Sequence, residues 1–193
     1  MSTAELVREH VEGAPLRSFI EPADLPGSRR AVECELSRLV AKGHVTRVRK
    51  GLYWKGPQTP AGMPLPRAFE VGMKIAGAGA GPAGVSAAAF LGLTTQVPAV
   101  EMIAIAGRVR TPPTGVRFVS RSIERRFLGL WAEEIAVLEV LRDGPSRIEW
   151  PRTDFTAVLG DLELDGQIRP CLINEQLTHE RHVAARQRWS EFR

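Results

Sequence analysis

The sequence of 193 residues contains only two cysteines and no long hydrophobic run. Cys34 and Cys171 are too few for a disulfide framework, and they lack the CxxC spacing of a zinc site. The longest apolar stretch, residues 83–93, is interrupted by glycine and is shorter than the roughly 20 residues of a membrane-spanning helix. The amphipathic, acidic residues 1–13 lack the apolar core of a secretory signal. We therefore expect a cytoplasmic protein with no membrane partner.

The composition is that of a globular protein, with 44% hydrophobic and 25% charged residues, which excludes a disordered chain. The net charge of +4 is unevenly distributed. Residues 1–27 hold two arginines against five acidic residues, whereas residues 28–55 hold eight lysines and arginines against two glutamates. The other 16 basic and 15 acidic residues lie in 56–193. A concentrated basic segment of this kind is typical of a protein that binds a polyanion.

A segment rich in proline and glycine divides the chain. Residues 56–66 contain four prolines and two glycines, which predicts an extended linker because proline fixes its own φ and keeps the preceding residue out of a helix. We expect an α+β protein of two domains, residues 1–56 and residues 64–193.

The first domain has the element order of a winged helix-turn-helix. Ser28 is a good N-cap for its main helix, Gly43 is a good terminator, and Gly51 suits the tight turn of a hairpin. In order, the predicted elements are a helix over 4–11, a helical turn over 22–25, a helix over 29–42, and strands over 45–48 and 52–54.

The main helix has two different sides. At 100° per residue, Val32, Leu36, Leu39 and Val40 share one stripe, and the opposite side is basic or small, as a helix in the DNA major groove requires. An ordinary amphipathic helix with a solvated polar side is the alternative. The predicted DNA-binding residues are Ser28 and Arg29 and Arg30 in the first turn, Ser37 and Arg38 on the exposed side, and Arg47, Arg49 and Lys50 on the hairpin.

The second domain is predicted to be mostly helical with a small antiparallel sheet. Its two strand candidates are separated by a turn at 111–115, which favours a hairpin-like pairing. The arginine-rich tail from Glu180 leaves four possibilities open: it forms a solvated amphipathic helix, which the sequence favours, it packs back, it frays, or it contacts DNA or a partner. In order, the predicted elements are helices within 64–100 interrupted by a loop at 77–85, strands over 101–106 and 116–120, and helices over 122–142, 153–165 and 170–190.

Two segments contain patterns that are specific enough to compare with a family. Residues 28–54 contain a basic helix, an L-x-x-L-x-x-x-G step and a basic strand ending in K-G-x-Y, and residues 85–99 contain an L-G-L-T-T-Q-V-P-A run. Both segments resemble the AbiE-type antitoxin family of bacterial transcriptional regulators, the first of them its winged helix. The residues that fill the first pattern are Leu36, Leu39, Gly43, Arg47, Lys50, Gly51 and Tyr53.

The resemblance, which covers about residues 15–145, implies a function. Such proteins are antitoxins of toxin–antitoxin systems that bind inverted repeats in their own promoter and repress it, and the toxin beside them is a nucleotidyltransferase-like protein. On this basis we expect double-stranded operator DNA as the partner. Direct neutralisation of the toxin through residues 64–193 is the alternative.

Other motifs give weaker indications. Residues 79–84 match G-x-G-x-x-G, which would make a nucleotide-binding enzyme a further alternative, but a helix rather than a strand is predicted before them. Glu175, His179 and His182 have helical spacing, but no fourth metal ligand is evident. We therefore expect no enzyme activity, no cofactor and no metal.

Overall fold

The structure, a computed structural model, describes residues 1–108, 111–144 and 152–192. It contains two compact units, Met1–Arg67 and Ala68–Arg193. Both units combine helices with a small sheet, so the expected α+β class is confirmed. None of the described helices is long and apolar enough to cross a membrane.

The first unit packs two helices against a three-stranded antiparallel sheet of order β1-β3-β2. Its core contains Val7 and Val11 of the first helix, Leu36 of the second, and Tyr53 of the sheet. In chain order, its elements are α1 (Thr3–Gly13), β1 (Ser18–Ile20), a 3-10 turn (Pro22–Asp24), α2 (Arg29–Ala41), β2 (Thr46–Arg49) and β3 (Leu52–Lys55).

The predicted boundaries of α2 are confirmed by its capping contacts. The Ser28 side chain accepts a hydrogen bond from the Ala31 amide at 3.4 Å, and Gly43 follows the helix with a φ of 75°. Between α1 and α2 the chain forms β1 and a single 3-10 turn. Because no second α-helix stands there, the helix-turn-helix itself remains a prediction.

The proline-rich segment 56–66 packs back onto the first unit, whereas the sequence predicted an extended linker. The Trp54 indole N–H donates to the Pro64 carbonyl at 3.1 Å, and the Gly56 amide donates to the Met63 sulfur at 3.1 Å. Proline and glycine prevent regular structure, but they leave carbonyls and side chains free to bond with a neighbouring strand. This segment therefore belongs to the first unit.

The second unit is mostly helical with a three-stranded sheet of order β4-β5-β6. Ile135, Leu138 and Leu141 pack in its main core with Phe155 and Ile173. In chain order, its elements are α3 (Ala68–Ala76), β4 (Gly81–Pro82), α4 (Val85–Phe90), β5 (Glu101–Ala106), β6 (Val116–Arg121), α5 (Glu124–Phe127), α6 (Ala132–Asp143), α7 (Arg152–Leu164), α8 (Pro170–His179) and α9 (Val183–Phe192).

The expected antiparallel pairing of β5 with β6 is wrong. The two strands are parallel, in register from Glu101 opposite Val116 to Ala106 opposite Arg121. The nine residues 107–115 between them are long enough to return along a six-residue strand, so turn-forming residues there do not require a hairpin. The antiparallel partner of β5 is β4, which lies inside the segment that was predicted to be a loop.

Two predicted helices are each divided in two. The helix expected over 122–142 is interrupted by Gly129, whose φ of 59° does not fit an α-helix, so that α5 and α6 are separate. The helix expected over 170–190 is divided at Glu180, which gives α8 and α9. Of the possibilities left open for the tail, packing back is the one observed, because Ala185 and Trp189 are buried and α9 contacts α6.

A network of buried charges joins the break between α8 and α9 to the rest of the second unit. Arg125 is fully buried and contacts Glu139 at 2.8 Å and Glu180 at 2.5 Å. Arg121 pairs with Glu139 at 2.6 Å, and Arg142 pairs with Glu180. Burial raises the pKa of Glu139, but the hydrogen bond from Arg121 and the charges of both arginines outweigh it and hold that pKa below its ordinary value.

Candidate nucleic-acid interface

The two sides of α2 lie as the helical angles predict. Val32, Leu36 and Leu39 are buried, and Val40 is partly buried against them. The residues on the opposite side are all exposed. They are Arg30, Cys34, Ser37, Arg38 and Ala41.

The hairpin of β2 and β3 presents three more cations. Arg47 and Arg49 are exposed on β2, and Lys50 is exposed in the turn. The pairing with β3 shifts register between Arg47 and Arg49. Among the residues that the structure describes, the side chains of these three cations and of Arg30 form no hydrogen bond or ion pair. Their N–H groups are therefore available to a ligand.

The first turn of α2 lies beside the tip of the hairpin. Arg29 and Gly51 both line one cleft of about 290 Å³, together with Glu21. The cleft therefore brings the start of the helix and the turn of the hairpin to one part of the surface. We call the exposed cations of this region the basic surface, and they are Arg29, Arg30, Arg38, Arg47, Arg49 and Lys50.

Four predicted site residues, Ser28, Arg29, Ser37 and Arg38, already have partners within α2. Arg29 pairs with Glu33 at 2.9 Å, but both side chains are exposed, and such a pair contributes little to stability. The Glu33 carboxylate also offsets the unfavourable position of Arg29 at the positive end of the helix dipole. The Ser37 hydroxyl donates to the Glu33 carbonyl at 2.8 Å, and the Ser28 hydroxyl oxygen caps the helix. Each hydroxyl therefore has one bond to the protein.

Glu35 and Arg8 are functional candidates that the sequence reasoning missed. Glu35 is 2% exposed, and its carboxylate accepts from Arg8 of α1 at 2.7 Å and from Arg38 at 3.0 Å. The hydrogen bond from Arg8, followed by that from Arg38, lowers the pKa of Glu35, and the hydrogen bond to Glu35 raises the pKa of Arg38. The available signal was the place of Glu35 at the border of the apolar stripe, three residues after Val32.

The glycine-rich residues 79–84 are placed differently from a phosphate-binding loop. They follow the helix α3, and all six residues are buried. A Cβ on Gly79 would lie 2.6 Å from the backbone of Arg126, and one on Gly81 would lie 2.6 Å from Ile135. These glycines permit close packing, so their placement does not favour nucleotide binding.

The three residues with metal-ligand spacing near the end of the chain do not share one helix. Glu175 and His179 are exposed on α8, which ends at His179, whereas His182 lies beyond it and its ring accepts a hydrogen bond from the Ala185 amide. Within residues 1–108, 111–144 and 152–192, no group of three His, Cys, Asp or Glu side chains is placed to hold a metal ion.

Comparison with known proteins gives a structural likeness but no match by family. No family model matches the chain, and no curated protein matches it. Among solved structures, the chain is similar to the crystal structure of the RV2827C protein from Mycobacterium tuberculosis, with 19% sequence identity and a TM-score of 0.45 over 98% of this chain and 75% of that chain. A likeness at this level assigns neither a family nor a function.

Proposed function

We propose that the first unit binds duplex DNA through α2 and the β2–β3 hairpin. The observation that carries this proposal is the exposed side of α2, which holds Arg30 and Arg38 among small residues and lies opposite the buried stripe. Cys34, Ser37 and Ala41 are small enough for the helix backbone to approach base edges closely. The basic surface supplies the positive charge that attracts the phosphate backbone.

Each part of the interface has its own role in this proposal. Arg30 lies in the first turn of α2, the part of a recognition helix that contacts bases, and its guanidinium matches the O6 and N7 acceptors of guanine. Arg47, Arg49 and Lys50 contact phosphates or the minor groove from the hairpin. The cations fix the register of the helix on the duplex, and Arg30 supplies discrimination between bases.

The wider proposal is that the protein is a cytoplasmic antitoxin that represses its own operon. It is supported by the resemblance of residues 28–54 and 85–99 to AbiE-type antitoxins. The partners in this proposal are double-stranded operator DNA with inverted repeats and a nucleotidyltransferase-like toxin. We propose no catalytic activity, cofactor or metal.

Binding of two duplexes tests the DNA proposal. The first duplex covers the region upstream of the protein's own coding sequence, and the second has the same base composition in shuffled order. We expect Arg30→Ala to reduce the preference for the upstream duplex by about 5- to 150-fold, because a bidentate arginine–guanine contact contributes about 1–3 kcal/mol of discrimination. Fluorescence anisotropy titrations of the full chain measure the two dissociation constants.

The control for this experiment is Arg186→Ala, which removes one exposed cation from α9 in the second unit. It should leave the preference between the duplexes unchanged. An equal loss on both duplexes in Arg30→Ala would instead assign Arg30 to a phosphate. Failure of the unsubstituted protein to bind either duplex at low salt would overturn the proposed function.

A second candidate function is direct binding of the toxin by the second unit. Exposed apolar side chains on and beside α5 favour it, since Phe127 is 73% exposed and Trp131 is 44% exposed. The Arg169 guanidinium lies 3.8 Å from the centre of the Trp131 ring, whereas no cation or aromatic ring stacks on Phe127 among the described residues.

Co-purification tests this second candidate. If this surface binds the toxin, the product of the adjacent gene co-purifies with the full chain, and Phe127→Ser abolishes the complex. No complex with the unsubstituted protein would exclude this candidate.

A further inference from the structure

A buried carboxylate joins two arginines from different helices at the edge of the proposed interface. Glu35 of α2 accepts the Nε of Arg8 on one oxygen and the Nη1 of Arg38 on the other, at 2.7 and 3.0 Å. The glutamate side chain is 3% exposed, whereas those of Arg8 and Arg38 are 48% and 64% exposed. The carboxylate is thus enclosed, and both guanidinium groups remain accessible to solvent.

The charges and hydrogen bonds of this cluster suit an anion. Two arginines and one glutamate leave a net charge of +1, which matches the single negative charge of a phosphodiester. In the described part of the chain, the contacts with Glu35 use only the Nε of Arg8 and the Nη1 of Arg38. Both terminal nitrogens of Arg8 and the Nε and Nη2 of Arg38 therefore remain available as donors.

The cluster also lies on the appropriate edge of α2. Arg38 belongs to the exposed side of the helix, and Glu35 lies between that side and the stripe that packs on α1. Arg8 reaches this edge from α1, and its half-exposed side chain lies next to the side of α2 that is proposed to face the duplex. An arginine on α1 beside α2 is therefore in a suitable place for a phosphate contact.

We propose that Arg8 and Arg38 together bind one DNA backbone phosphate, with Glu35 as the positioning residue that holds both guanidinium groups. This inference rests on the proposed DNA-binding function and adds to it a contact from α1. Two planar guanidinium groups recognise phosphate oxygens through directed hydrogen bonds. Because Glu35 already restricts both long side chains, less conformational entropy is lost when they bind.

Salt dependence of DNA binding tests this assignment. The full chain and its variants are titrated against a fluorescein-labelled random-sequence duplex of about 20 base pairs, from about 50 to 250 mM NaCl. We expect Arg8→Gln to reduce the magnitude of the slope of log Kobs against log salt concentration by about 0.9, the contribution of one neutralised phosphate. The matched control Arg186→Gln removes one exposed arginine from the second unit and should leave the slope unchanged.

Glu35→Gln separates positioning from net charge. The substitution makes the protein more positive by one unit, so charge alone predicts tighter binding to the duplex. If Glu35 positions the two arginines, binding weakens instead and the magnitude of the slope decreases. A folding defect would lower the fraction of binding-competent protein without changing the slope. Thermal unfolding followed by circular dichroism measures the folded fraction of each variant.

Three results would overturn the inference. An unchanged slope in Arg8→Gln, or an equal decrease in Arg186→Gln, would remove Arg8 from the phosphate contact. Equal or tighter binding by Glu35→Gln would remove the positioning role of Glu35. Each of these results leaves the proposed function intact as long as the unsubstituted protein binds the duplex. Absence of binding by the unsubstituted protein would overturn the proposed function itself.

Discussion

At the scale of single residues, Glu139 of α6 illustrates how the second unit encloses charge. Its carboxylate is 1% exposed and lies between Arg121 and Arg125. We expect Glu139→Gln to lower the free energy of unfolding by about 3–5 kcal/mol at neutral pH, because Glu180 is then the one carboxylate left in this network to neutralise Arg121, Arg125 and Arg142. Urea unfolding followed by tryptophan fluorescence measures the loss. Glu175→Gln, an exposed change in the same unit, should stay within about 0.5 kcal/mol.

The same substitution should show a defined dependence on pH. The folded-state pKa of Glu139 lies below its ordinary value. Its contribution to stability is therefore fully present above the unfolded-state pKa of about 4.3, and it is lost as the pH falls through the lower folded-state value. The difference in stability between the unsubstituted protein and Glu139→Gln should narrow as the pH falls below about 4. A difference that stays constant down to about pH 3 would contradict this account.

At the scale of elements, the turn of the β2–β3 hairpin depends on one backbone conformation. Gly51 has a φ of 76°, and a Cβ placed on it would meet no atom within 4 Å. The cost of a side chain there comes from the backbone alone, so Gly51→Val should destabilise the first unit by about 1–2 kcal/mol. Denaturation followed by the fluorescence of Trp54 in β3 measures the loss. Gly51→Asn is the control, since asparagine adopts this conformation more readily, and an equal loss in both variants would contradict the explanation.

The elements that the sequence predicted well are those that local chemistry determines. The helix α2 has an N-cap at Ser28, a glycine after its end and an apolar stripe of regular spacing, and all three signals are local. The strand β1 was missed because three residues give no usable alternation, and its strand character comes from pairing with the distant β3. The parallel pairing of β5 and β6 could not be predicted from local sequence either. Residues 107–115 are compatible with the turn of an antiparallel hairpin and with a connection that runs back along the strand to start a parallel one.

The candidate site was predictable to a similar extent. The exposed cations of α2 and the hairpin follow from helical angles and strand alternation. Glu35 was not predictable, because a glutamate is ordinarily assigned to solvent and its burial depends on Arg8, which lies 27 residues earlier on α1. Ser86 of α4 likewise has a partner that is distant in the sequence. Its hydroxyl donates to Glu101 of β5 at 2.6 Å.

At the scale of the whole molecule, charge and burial are organised separately in the two units. The first unit has one apolar core around Leu36, and its basic surface carries most of the uneven charge of the sequence. The second unit has its main core around Leu138 and a smaller one around Ile103. It also encloses arginines that pair with buried glutamates, and the net charge of the chain does not show that these arginines are buried. A count of lysines and arginines therefore indicates a binding surface only where those residues are exposed.

The position of Glu180 has a practical consequence for anyone preparing shortened versions of the protein. This residue directly follows α8, yet its carboxylate neutralises Arg125 in the interior. Arg188 of α9 also donates to the Leu141 carbonyl near the end of α6 at 2.5 Å. Deleting the residues from Glu180 onward would therefore remove a counter-charge of Arg125 and the hydrogen bond that Arg188 donates near the end of α6. Shortened versions should therefore retain Glu180 and α9, even when only the preceding elements of the second unit are of interest.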